Sequence, residues 1–247
     1  MRNIVRIGIV ILTVCAFGSM RAADAPPIDL ASVTGTVSVV RKTKGAADNG
    51  EVAIWLKPVA EPGQRSGANP QPRARPKIVQ QNKRFEPRLL VVPVGSVVEF
   101  PNLDPFFHNV FSMFDGKRFD LGLYEAGTSR SVPFTTPGVC YIFCNIHPEM
   151  SAVVVVVDTP YFAVTNRAGE FTVPNVLPGR YALSVWHERH KPELPKEFPR
   201  DVTISAASPS VGVIRLAESD EVIAPHKNKY GHDYTPPRPP SPIYKDR

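Results

Sequence analysis

The sequence predicts an all-β chain, and three observations carry that reading. There are 27 prolines, about twice the usual share of about 5%, and proline breaks helix interiors. Runs with a helical period are hard to find. Val, Thr and Phe instead alternate repeatedly with polar neighbours, which is the period of a strand with one buried face.

The first 22 residues carry Arg2 and Arg6, an apolar run from Ile7 to Phe17, and small residues at Ala22 and Ala23. This is the pattern of a secretory signal peptide, residues 1–22. The run is shorter than the roughly 20 residues that span a membrane, so no membrane span is expected after cleavage. The expected location is the periplasm. About 225 residues then remain, enough for one large or two small domains with cores of their own. Loss of Arg2, Arg6 and Arg21 lowers a formal charge of +6 to +3. With no long Lys/Arg run behind it, that charge argues against nucleic acid as a partner.

Thr34 to Val40 and Glu51 to Val59 read as two strands joined by a turn of Gly, Ala, Asp and Asn. Glu61 to Pro76, rich in Pro, Arg, Gly and Gln, reads as an exposed loop. Strand-like runs resume at 77, and Ala152 to Val157 is a continuous valine run of the kind buried between two sheets. Phe111 to Arg130 is the least patterned part, and its aromatics read as packing. After Asp158 come Tyr161 to Thr165, a turn at Asn166 to Gly169, Phe171 to Val173, a strand to Trp186, and two more at Val202 to Ser205 and Val211 to Leu216. Residues 218–247, rich in Pro, Lys, Asp and Tyr without apolar periodicity, are expected to be disordered or to drape over the surface.

The chemistry concentrates between Gly138 and Met150. Cys144, His147 and Met150 place a thiol, an imidazole and a thioether within seven residues. A Cys thiolate, two imidazoles and a weak axial thioether make the trigonal set that suits copper in electron transfer. The second imidazole must come from another strand, and His108 lies between apolar neighbours. Pro148 restricts the loop by fixing its own φ and disfavouring helical geometry at His147. His187, His190, His226 and His232 have no accompanying Cys or Met and read as ordinary surface histidines. Cys140 and Cys144, if extended, lie about 13 Å apart at about 3.3 Å per residue, beyond the ~7 Å that a disulfide bridges.

Residues 77–158 resemble the cupredoxins, the amicyanins and pseudoazurins among them. The resemblance rests on Phe85-x-Pro87, on Gly95-x2-Val98-x-Phe100-x-Asn102-x-Asp104 followed by His108-Asn109-Val110, and on Pro137-Gly138-x5-Cys144-x2-His147-Pro148-x-Met150. The Cys-x2-His-x2-Met spacing is that of the short amicyanin loop. The resemblance implies a Greek-key β-sandwich holding one copper through His108, Cys144, His147 and Met150. It implies that Asn109 hydrogen-bonds across to the ligand loop. Binuclear copper centres of terminal oxidases also use two cysteines three residues apart, but they place three residues between the second Cys and the His, where this chain has two. Cys140 is therefore expected to be a buried strand residue.

The stretch 159–217, with Leu177-Pro178-Gly179-Arg180-Tyr181, is similar to the second half of carboxypeptidase regulatory-like domains, which are small β-sandwiches. Gly35-Thr36-Val37 and Val52-Ala53-Ile54 would supply the first half. The expected organisation is a sandwich of 31–60 with 159–217 into which 77–158 is inserted, or else two domains in series. The function these resemblances imply is a one-electron carrier that is not an enzyme, with a c-type cytochrome or a periplasmic dehydrogenase as redox partner. The alternatives are copper trafficking, or a carbohydrate- or protein-binding module with accessory copper.

Overall fold

The computed structural model describes residues 29–40, 49–59, 75–113, 117–190, 198–219 and 226–234. The expected signal peptide and nearly all of the Arg-rich loop lie outside them. Among the described residues there are sixteen strands and no helix, so the chain is all-β as its sequence predicts. No helix there is long and apolar enough to cross a membrane.

Strands β3 (Val79–Gln81) to β11 (Ser151–Val157) form one unit. Its larger sheet has the order β5 (Leu89–Pro93), β11, β10 (Gly138–Phe143), β7 (His108–Ser112), β8 (Phe119–Tyr124). Facing it are the paired strands β6 (Ser96–Pro101) and β9 (Ser129–Phe134), and the ribbon of β3 with β4 (Arg84–Glu86). Phe100, Val110, Phe134, Ile142, Cys144, Met150 and Val154 fill the space between them.

The remaining strands come from both sides of that unit in sequence. β1 (Ala31–Val40) lies between β13 (Glu170–Val176) and β16 (Ser210–Ala217), antiparallel to the first and parallel to the second. β2 (Ala53–Pro58) lies between β12 (Phe162–Val164) and β14 (Gly179–Trp186), with β15 (Arg200–Ile204) beyond. The two early strands therefore sit in different sheets, and Val37, Ile54, Leu56, Leu183 and Ile214 pack between those sheets. The turn at Asn166 to Gly169 closes on a Gly169 N–H to Asn166 carbonyl bond of 2.9 Å. Gly169 has φ +86°, and a Cβ there would meet the Val37 carbonyl oxygen at 2.0 Å, so no other residue fits.

β11 shows why a strand can be continuously apolar. Successive side chains alternate faces: Val154 and Val156 enter the first core, while Val153, Val155 and Val157 enter a third layer with Ala53, Leu89 and Val91. Trp55, Tyr141, Phe162 and Trp186 flank that layer, which joins the two units. Full burial of each valine is worth about 1.5–3 kcal/mol.

Candidate metal centre

β7 is buried at all five positions, polar ones included. It delivers His108, and the turn after β10 delivers Cys144 and His147. That turn closes on itself, with Cys144 N–H donating to the Met150 carbonyl (3.3 Å) and Met150 N–H to the His147 carbonyl (3.1 Å). The structure brings His108, Cys144 and His147 together, one donor atom from each lying within 4.8 Å of the others. The two Nδ1 atoms are 3.1 Å apart, and Cys144 Sγ lies 3.8 Å from that of His108 and 3.6 Å from that of His147.

These separations suit a metal ion. Bonds of about 2.0–2.1 Å to nitrogen and about 2.3 Å to sulfur in a trigonal plane put the nitrogens about 3.5 Å apart and each about 3.8 Å from sulfur. The protonation states agree. His108 Nε2 donates to Asp104 Oδ2 at 2.7 Å, which leaves the Nδ1 lone pair aimed at the site. Burial, the neighbouring His108 and Lys83 hold His147 below the ordinary imidazole value against Glu149 and Asp104, favouring the neutral ring. Burial pushes the Cys144 thiol up, although the N–H groups of Asn109, Ile146 and His147 point at it. Without a cation the pocket disfavours thiolate, and a metal would displace that proton.

Met150 is fully buried in the same core as Cys144. Pro148 is exposed on the loop. Cys140 is buried in β10, its Sγ 3.3 Å from the Ser112 hydroxyl, outside the His–Cys–His group. Both cysteines are free.

Asn109 meets the loop through its backbone and not through its side chain. Its backbone N–H is the part that reaches Cys144, while its side-chain amide donates to Asp120 on β8 at 2.7 Å. Asp120 lies on the strand paired with β7 and supplies a carboxylate acceptor within reach of that amide. Sequence reading also gave no role to Asp104. This carboxylate accepts the N–H groups of Asn82 (2.7 Å) and Lys83 (2.9 Å) as well as His108, tying the β3–β4 turn to the site. Burial raises its carboxyl, but those donors outweigh it and hold the value below the usual range. The signal was an Asp four residues before the candidate ligand.

The described part of the tail drapes over the surface, the second of its two expected courses. Residues 226–234 are ordered against the ligand loop, with His226 stacked on Phe143 at a centroid distance of 4.0 Å. Side-chain hydrogen bonds, which leave no apolar periodicity, hold it there.

Around the site, His108 is fully buried while His147 is only partly so. Phe106 packs 5.2 Å from His108 and 5.8 Å from His147, centroid to centroid. Phe106, Phe107 and Ile146 are 36%, 55% and 44% exposed, leaving an apolar rim beside the His147 edge.

A family model described as polysaccharide lyase family 4, domain II, matches residues 156–210. No curated protein matches the chain. Among solved structures the chain is similar to a purple cupredoxin from Nitrosopumilus maritimus, at 26% identity over 33% of this chain and 99% of that one, with a TM-score of 0.31. It is similar to a copper-containing nitrite reductase from Thermus scotoductus, at 25% identity and a TM-score of 0.33, covering 48% of this chain and 28% of that one. A Cu(I) form of an amicyanin variant is 24% identical over 33% of this chain and 80% of that one, with a TM-score of 0.32.

Proposed function

We propose that the chain is a periplasmic type 1 copper protein that carries single electrons and performs no substrate chemistry. The observation that carries the reading is the convergence of two imidazoles and one thiol on a single point, 3.1–3.8 Å from one another. His108, Cys144, His147 and Met150 would hold one copper. Copper bound there would supply a one-electron couple. The chain's own task is to keep the donors in one arrangement for both oxidation states, and the buried β7 strand, the closed loop and Asp104 support this.

The partner is a small redox protein such as a c-type cytochrome, or a periplasmic dehydrogenase, docking over the His147 edge. The apolar rim of Phe106, Phe107 and Ile146 supports this, because small interfaces suit fast release. The flanking unit is read as an accessory module similar to carboxypeptidase regulatory-like domains.

Titration of the metal-free protein with Cu(II) tests the reading. It should saturate at one copper per chain with an intense visible thiolate-to-copper band. Cys144→Ser should abolish the band and Cys140→Ser should keep it. Two coppers per chain, or loss of the band in Cys140→Ser, would replace the mononuclear site with a binuclear one.

A further inference from the structure

We propose that residues 226–234 form a strap that positions the ligand loop from outside, with Tyr234 and Lys229 as its positioning residues; the inference rests on the copper reading above. The loop's own turn uses the Cys144 and Met150 N–H groups and the His147 and Met150 carbonyls. The strap takes what that turn leaves over. Tyr234 donates its hydroxyl to the Cys144 carbonyl at 2.7 Å, and His226 Nε2 donates to the Pro148 carbonyl at 2.6 Å. The Lys229 N–H donates to Asn145 Oδ1 at 2.9 Å. Three successive parts of the loop are thus held from one side, over a sequence separation of 78 to 90 residues.

The strap is itself built to hold that spacing. Asn228 N–H donates to the His232 carbonyl and Gly231 N–H to the Asn228 carbonyl, both at 2.9 Å. Asn228 Oδ1 accepts the N–H groups of Tyr230 (3.0 Å) and His232 (3.1 Å). Lys229 and Tyr234 therefore leave a closed turn at fixed positions.

The strap also completes a link between the two halves of the site. Asn109, next to His108, donates to Asp120 Oδ1. Asp120 Oδ2 pairs with the Lys229 ammonium at 2.7 Å, and the Lys229 backbone returns to Asn145 beside Cys144. The connection that the Asn109 side chain does not make to the loop directly runs through the tail instead. A loop bearing three of the four proposed ligands gains most from such support, because groups outside the ligands typically set metal affinity by about 10–100-fold.

Hydrogen exchange on the metal-free full-length chain reads the strap without copper. In the double variant Lys229→Ala, Tyr234→Phe, amides of 143–150 should exchange faster than in the parent, while those of β14 in the flanking unit should not change. Copper release to a chelator should accelerate about tenfold or more. Faster loop exchange in a chain that never binds copper would retain the strap and discard the copper reading. Unchanged exchange across 143–150 would overturn the strap, whatever the copper does.

Discussion

The two units of this chain draw on the same apolar residues, yet they differ in what their cores admit. Of the nine buried polar or charged residues among those described, six lie in the metal-site unit: Gln80, Asn102, Asp104, His108, Asn109 and Ser112. The flanking core of Val33, Ile54, Leu183 and Ile214 is apolar, and the Tyr181 hydroxyl at its edge is bonded to the Leu177 carbonyl at 2.7 Å. A buried polar group left unpaired costs about 1–3 kcal/mol. The metal-site unit bonds most of these groups, Gln80 Oε1 and Asn109 Oδ1 excepted, and part of the network leads to His108. Asn102 bonds the Phe106 carbonyl, and Asp104 bonds His108 itself. The flanking unit buries three such residues, Thr159, Thr165 and Glu218, and the other unit buries twice as many around His108.

The largest effect should come from breaking what the two units share. Val155, 2% exposed, sits in the layer between them. Val155→Asp would bury a carboxylate with no partner, a change that costs several kcal/mol. Because that layer packs against β2, β12 and β14 as well as β5, the melting temperature of both units should fall together, by calorimetry and by circular dichroism. A variant in which one transition falls while a second stays in place would show that the units are energetically separate.

Residue spacing made the candidate trio legible, because Cys144, His147 and Met150 within seven residues leave few arrangements. The valine run of β11 was legible too, since only a strand buried on both faces tolerates it. The partition of β1 and β2 between two sheets could not be read locally, since a turn does not reveal which sheet each strand joins. Nothing in the tail's composition announced the strap. Its contacts are hydrogen bonds from isolated side chains, and His226 has no Cys or Met beside it in sequence to mark it. Asp104 was visible but unassigned: its role depends on the β3–β4 turn, where Asn82 and Lys83 both adopt positive φ and present their N–H groups to one carboxylate.

Asp104 supplies the next prediction, smaller because it leaves the ligands in place. Asp104→Asn keeps the size and loses the charge that orients the His108 ring. Copper affinity, measured by competition with a chelator, should fall about 10–100-fold, while the flanking unit keeps its stability. An affinity within twofold of the parent would mean that burial of β7 alone fixes the ring.

The smallest effect belongs to the pair that anchors the strap. Burial raises the Asp120 carboxyl, but Lys229, the Asn109 amide and the Gly122 N–H outweigh it, so its folded value lies below the ordinary one. Asp120 raises Lys229 in turn, against a smaller loss to burial. A depressed carboxyl stabilises the fold fully above its unfolded value of about 3.9, and that contribution is lost as pH falls through the folded value. A raised ammonium contributes below about 10.4 and loses its effect as pH rises through its folded value. The stability gap between the parent and Asp120→Asn should therefore be flat from about pH 5 to 9 and close at both ends. The side chains of Lys229 and Asp120 are 21% and 30% exposed, so the gap should be about 1 kcal/mol or less and should shrink further in salt. Denaturant melts across pH at low ionic strength measure it. The flanking unit's exposed Arg180 and Asp201, 3.7 Å apart, provide the contrast: Asp201→Asn should produce no comparable plateau. Equal plateaus for the two pairs would place the strap's anchor among ordinary surface ion pairs.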